Sequence, residues 1–380
     1  MHPERSHPNG CRTSGGGWCA RRAPAGLRAP ARSAVLRACL LGGLFAAAAA
    51  AQETPGGPLD EVRKLVAFTD AHDEVIDAWI QERVEELKGK LDEDPVAAAG
   101  AFRRAFAELR ALPDNTPAFT THLAERAAVA IAAEFSRPEP LSAYAAWAMA
   151  RVIHEAADLV TREALAAGLQ HPVPVVRYHC ARAYADLERQ LTANASLART
   201  VVARLREVGQ TENSGVVLGA IYDALSLEDN ALLPDATGAM AAVFDARVRR
   251  RASGEAPAID RAEIQAWEYL YARRARLPQP EKIALVRGLA GFLTLDVNAY
   301  TTVEGPQQRV LRERIEVCEE LLEALAGKGG DVRGRMKEGG DTADVNMKIE
   351  LLKWVGSEAE PGVLNQAPWS VPLGGLPAAS

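Results

Sequence analysis

Lysine is scarce in this 380-residue chain: of 44 basic residues, 36 are Arg and 8 are Lys. No lysine occurs between Lys90 and Lys282, so Schiff-base and P-loop lysine chemistry is excluded from that stretch. Aromatics make up only 6% of the chain. β-branched alternating runs are also scarce, which leaves little from which to build strands. Gly-x-Ser-x-Gly, a P-loop, paired Cys-x-x-Cys and a dinucleotide glycine motif are all missing. Of five cysteines, only Cys180 and Cys318 lie beyond residue 51.

Alanine supplies much of the 48% apolar fraction, and alanine is the best helix former. The composition is that of a folded, helical protein. The charge is uneven. Residues 1–51 hold seven Arg and one Glu, a net +6, whereas the whole chain is −6, leaving about −12 for the remainder. An acidic body lacks the basic face that phosphate contacts demand, so nucleic acid is not the expected partner.

Residues 38–51 read Ala-Cys-Leu-Leu-Gly-Gly-Leu-Phe followed by six alanines, preceded by Arg21, Arg22, Arg28, Arg32 and Arg37. Basic region, short apolar run and small-residue end follow in the order of a secretory signal, with cleavage after Ala51. At 14 residues the run is short of the roughly 20 a membrane span needs. Residues 1–51 are thus expected to be an export signal; the stretch before about Arg32 is long for one and reads either as a start codon placed too early or as a twin-arginine-type leader around Arg21-Arg22. The mature chain is expected to be periplasmic or secreted, with no stable membrane span.

A linker is expected at 52–58 and helices over about 59–91, from Pro95, and over 117–135, where Pro sits in a first turn. The segment Leu169–Leu187 carries Leu169, Pro172, Val176-Arg177, Ala181, Ala183 and Leu187 in series. This resembles the second half of a HEAT repeat. His171 stands where that family has an acid before the Pro. Weaker echoes occur 34 residues upstream, around Arg137–Tyr144, and about 41 downstream, around Ser214–Leu225. The resemblance covers about residues 136–226 and implies an all-α fold, an α-solenoid of HEAT-like or armadillo-type helical repeats over 59–326. Further helices are expected at about 234–251, 259–276, 280–296 and 306–326. A flexible glycine-rich loop at 327–342, a short helix at 343–355 and an irregular tail at 356–380 complete the chain. Trp369 is a candidate anchor in that tail.

Four constellations could carry chemistry. His154-Glu155-Ala-Ala-Asp158 approaches the zinc-peptidase pattern, with Asp in place of the second His. His72-Asp73, with Asp70, Glu74 and Asp77, approaches the His-Asp pair of all-α phosphohydrolases, but no histidine precedes it in the mature chain. Cys180 and Cys318 fall on apolar stripes and read as core. Arg247, Arg249, Arg250 and Arg251, with Arg273, Arg274 and Arg276, read as complements to helix C-terminal dipoles. Each weighs more as structure than as a site.

The expected function is therefore a non-enzymatic exported interaction or scaffold module, without cofactor, for a protein partner the sequence does not identify. Tyr144, Tyr178 and Tyr184 are the candidate contacts, because aromatics dominate interface energetics. The alternative is an all-α metal-dependent hydrolase centred near His154.

Overall fold

The computed structural model describes residues 57–371, apart from Pro138, Pro140, residues 256–260, Thr301 and Asp341. The expected signal, and the first residues of the linker, lie outside the described residues.

Among the described residues the chain is all helical. The helices are α1 (Asp70–Lys90), α2 (Pro95–Arg110), α3 (Pro117–Phe135), α4 (Ala143–Ala156), α5 (Arg162–Gly168), α6 (Pro174–Asp186) and α7 (Glu188–Thr192). They continue with α8 (Ala195–Thr211), α9 (Gly215–Leu225), α10 (Leu233–Ala252), α11 (Ala262–Arg273) and α12 (Gln279–Tyr300). The last are α13 (Pro306–Ala326), α14 (Val332–Glu338) and α15 (Ala343–Val355).

The starts have local causes. Asp94 accepts the Ala97 N–H at 2.9 Å ahead of α2, and Thr116 accepts that of Phe119 at 3.1 Å ahead of α3. Pro occupies the first turn of both, where its missing N–H leaves no gap. At α1, His72 returns a bond to the Thr69 N–H while Thr69 caps the turn. That capping box delays the helix to Asp70, so 57–64 hold only short 3-10 turns where a longer helix was expected.

Helices pack in two interleaved series. In one, α2, α4, α6, α9, α11 and α13 each pack on the next. In the other, α1 packs on α3 and α3 on α5, and separately α8 on α10, α10 on α12 and α12 on α15. A single buried apolar cluster runs from Leu59 to Val371.

The first series repeats its burial register. Ala145, Ala148, Met149, Ala150, Val152 and Ile153 of α4 are buried. So are the residues 31 positions on in α6: Val176, His179, Cys180, Ala181, Ala183 and Tyr184. A further 41 positions give Val217, Ala220, Ile221, Tyr222, Ala224 and Leu225 of α9, again all buried. The offset between α4 and α6 is therefore 31, not the 34 read from matching the proline turns. Pro172 lies two residues before its helix and Pro138 five before its own, so the prolines mark different points of the two connections.

The segment 327–342, expected to be a flexible loop, contains α14. Asp331 caps it through the Gly334 N–H at 3.1 Å. Gly329 and Gly330 serve close approach rather than freedom. A Cβ on Gly329 would lie 2.4 Å from the Trp354 ring, and one on Gly330 2.0 Å from the Glu350 carbonyl oxygen. The tail folds back as well. Trp369 and Val371 are buried, the Val371 N–H donates to Leu364 O at 2.8 Å, and Asn365 donates to Val371 O at 2.9 Å. Among the described residues α12 is long and apolar enough to cross a membrane, but 67% of its apolar window is buried inside the fold.

Candidate functional site

The buried register fixes what the other face of the first series presents. In α4 the outward stripe is Tyr144, Trp147, Arg151 and Glu155. In α6 the equivalent residues are Val175, Tyr178, Arg182 and Asp186, and in α9 they are Val216, Gly219 and Asp223. Steps of three and four residues keep each set on one side of its helix. The first turns of these helices thus form an apolar and aromatic edge, with Val216 69% and Tyr144 45% exposed. Their later turns form an ionic band.

That band joins neighbouring helices. Arg103 of α2 reaches Glu155 at 2.7 Å and lies 5.3 Å over the Trp147 ring. Arg110 donates to the carbonyl oxygens of Glu155 at 2.6 Å and Ala156 at 3.2 Å. Arg151 holds Glu155 from within α4. Burial would raise the Glu155 carboxyl, but the bonds from Arg151 and Arg103 outweigh it and hold it below the usual range. Between α4 and α6, His154 Nε2 sits 2.8 Å from Asp186, and between α6 and α9 Arg182 pairs with Asp223.

The three candidate tyrosines do not share a surface. Tyr144 is on the exposed edge, and Tyr178 is half-buried with its ring edge-on to His179 at 5.1 Å. Tyr184 is only 3% exposed and its hydroxyl donates to Arg162 O at 3.1 Å, so it packs between helices instead of facing a partner. Its position in the α6 register is the inward one held by Ile153 in α4.

The His154-Glu155-x-x-Asp158 pattern comes apart physically. An i, i+4 ligand pair needs a continuous helix, and α4 ends at Ala156 with Ala157 left-handed at φ 50°. Asp158 instead caps the 3-10 turn Leu159–Thr161 through the Val160 N–H at 3.1 Å. His154 turns to His179, Nδ1 to Nδ1 at 3.3 Å. His72 is spent on its cap, while Asp73 pairs with His122 at 2.6 Å and Arg126 at 3.4 Å. His122 stacks on Phe68 and was missed because it lies 49 residues after Asp73. No group of three or more His, Cys, Asp or Glu side chains suited to a metal ion occurs among the described residues. Cys180 and Cys318 are buried and unlinked.

Arg249 and Arg250 of α10 and Arg273 of α11 lie in the last turns of their helices, as dipole complements would, but two members of the cluster do more. Arg247 and Arg251 point inward and meet Arg314 of α13 around two fully buried acids, Glu263 and Asp296. Arg314 Nη1 is 2.6 Å from Glu263 and its Nε 2.9 Å from Asp296. Its guanidinium lies 5.1 Å from the centroids of both Trp267 and Phe292. Burial opposes ionisation of Glu263, yet the charges of Arg314 and Arg247 hold its carboxyl down to about 2. Arg249 stays on the surface paired with Asp245, and Arg250 donates to Glu212 O at 3.3 Å and to Asn213, outside the buried cluster.

No family model, no curated protein and no solved structure matches this chain.

The second series of helices leaves a cleft between α5 and α8. A cavity of about 470 Å³ there is bordered by Arg162, Glu163, Leu197, Thr200 and Arg204, with Tyr184 on its floor. An adjoining space of about 430 Å³ is bordered by His171, Arg177 and Glu212. Arg177 donates to Glu212 at 2.6 and 2.9 Å and to the carbonyl oxygens of His171 and Pro172 at 2.7 and 2.8 Å. Glu212 lies 41 residues beyond His171, the offset that relates α6 to α9. Glu212 thus supplies the acid that faces Arg177.

Proposed function

We propose that the mature chain is a non-enzymatic α-solenoid of HEAT-like repeats that binds a protein partner along the exposed face of α2, α4, α6 and α9. The observation that carries this reading is the common burial register of α4, α6 and α9. Their inward positions are all buried, while their outward positions repeat an aromatic residue, an Arg and an acid from α4 (Trp147, Arg151, Glu155) to α6 (Tyr178, Arg182, Asp186). A repeat needs only the first for its stability, so the second is open to recognition. The Arg177–Glu212 rung supports the kinship with HEAT-like units, and the aromatic edge supplies the side chains that interfaces favour. Fold-level likeness alone would argue binding weakly.

The hydrolase alternative centred on His154 draws no support from the geometry, since both ring nitrogens face protein partners. Export is part of the proposal and rests on the charge order of residues 1–51. Chain isolated from the cell envelope should begin at Gln52; an intact Met1 terminus in the cytosol would overturn it.

Binding is tested with mature chain as bait against envelope extract. Trp147→Ala combined with Tyr178→Ala should weaken capture of the bound protein by about 10–30-fold, the scale of aromatic hot spots. Val129→Ser, at an exposed position on α3, should leave capture unchanged. Equal capture by the double variant and the parent would sink the assignment of this face.

A further inference from the structure

Where α6 packs against α4 the buried residue is His179, and the same register position holds Ala148 in α4 and Ala220 in α9. A methyl group suffices for that packing, so the imidazole is there for something else. Its Nδ1 lies 3.3 Å from His154 Nδ1, and His154 Nε2 lies 2.8 Å from Asp186. With the Nε2 hydrogen directed at Asp186, neutral His154 offers a lone pair at Nδ1. His179 must then carry its hydrogen on Nδ1 to donate to it. A buried His179 takes up a proton readily only once the α4–α6 contact opens, so opening is favoured as pH falls from the free value of 6.5 towards about 4.

Among the described residues, the charged groups around the pair are Arg103 and Arg110 of α2, Arg151 and Glu155 of α4, and Arg182 and Asp186 of α6. From α9, Asp223 takes up Arg182. Glu155 favours positive charge on His179, but burial and the arginines that hold Glu155 outweigh it. Burial holds the His179 ring down at about 4, with Arg151, His154 and Arg103 adding to the effect. The neighbouring rungs, Arg103–Glu155 and Arg182–Asp223, use arginine and keep their charge at any physiological pH. The α4–α6 rung uses histidine, the side chain suited to respond to acid.

We propose that the His154–His179 pair is an acid-released latch between α4 and α6, which holds the face bearing Trp147 and Tyr178 at neutral pH and loosens it in acid. Its regulatory meaning rests on that face being the binding surface, but the latch itself is decided on the free chain. Hydrogen exchange of the full mature protein, corrected for intrinsic rates, is compared at about pH 7 and about pH 4.5. Peptides from α4 and α6 should lose protection at least about tenfold more than peptides from α10 and α12. His179→Gln and His154→Gln should remove this local difference. His179→Ala, which restores the residue found in α4 and α9, is a second background should either Gln variant fold poorly. No selective loss in the parent, or an equal loss in the folded variants, overturns the latch. A chain that shows the loss yet captures no partner overturns the binding surface and leaves the latch standing.

Discussion

Replacing Arg314 by leucine should destabilise the C-terminal half of the protein by about 3–5 kcal/mol, the range for breaking a buried ion pair on one side. Arg314 is 1% exposed and spans Glu263 on α11 and Asp296 on α12. Its loss leaves Glu263 with Arg247 and Asp296 with Arg251, so two carboxylates remain buried with less compensating charge. Arg314→Lys should recover little, because an ammonium cannot serve two carboxylates and stack between Trp267 and Phe292 as the planar fork does. The cluster also sets a pH dependence. Glu263 is held to about 2, below its usual value of 4.5. Its contribution is therefore full above the unfolded value and is lost as pH falls from about 5 towards 2. Glu263→Gln should be less stable at neutral pH and should flatten that acid limb. Denaturant midpoints measured across pH check both, and an Arg314→Leu midpoint equal to the parent's would refute the claim.

This cluster was the least legible part of the sequence. Arg247, Arg249, Arg250 and Arg251 look alike in a linear reading, and only i, i+3 and i+4 relations can be judged there. What separates them is which carboxylates lie across the core. Glu263 is 16 residues from Arg247, Asp296 is 45 from Arg251, and Glu263 is 51 from Arg314. The same limit hid His122 from Asp73 and His179 from His154. Local signals fared differently. Pro95 and Pro117 open α2 and α3 because a first-turn proline acts through its own φ and missing N–H, which need no distant partner. Apolar periodicity placed the long helices, since burial of one face is a local pattern with a global cause. The common burial register was legible in its downstream offset near 41 but not in its upstream one, because there turn prolines were matched in place of buried positions.

Glycine was the other source of error. Gly327, Gly329, Gly330, Gly339 and Gly340 suggest freedom when read together, yet they frame an ordered clasp. Gly327 and Gly339 end α13 and α14 at φ +87° and +63°, as helix-stopping glycines do. Gly329 and Gly330 admit Trp354 and the α15 backbone. Composition cannot tell a glycine chosen for flexibility from one chosen for its missing Cβ; the side chain that fills the space must be known.

The clasp supplies the second large effect: Glu319→Ala should release α14 and expose 327–342 to protease. Glu319 is fully buried on α13 and accepts the N–H groups of Val332 at 2.8 Å and Arg333 at 2.7 Å. Those are first-turn donors of α14, which the helix cannot satisfy itself. The same carboxylate takes Trp354 Nε1 of α15 at 3.0 Å and Arg333 Nε at 3.2 Å. One side chain thus ties three helices, and its removal strands donors that each cost about 1–3 kcal/mol when buried without a partner. Burial raises the Glu319 carboxyl despite these donors. Its ionised form is therefore a cost at neutral pH that shrinks as pH falls through the raised value. Trypsin should cut Glu319→Ala at Arg333, Arg335 or Lys337 at least about tenfold faster than the parent, because cleavage follows the population of the open form. Trp354→Phe, which removes one donor and keeps most of the packing, should show a much smaller increase. Melting of the N-terminal helices should be unchanged in both, since α1–α6 pack chiefly on helices among α1–α9 and not on α13–α15. Parental resistance to trypsin in Glu319→Ala would mean that Trp354 and the close glycine contacts hold α14 without the carboxylate.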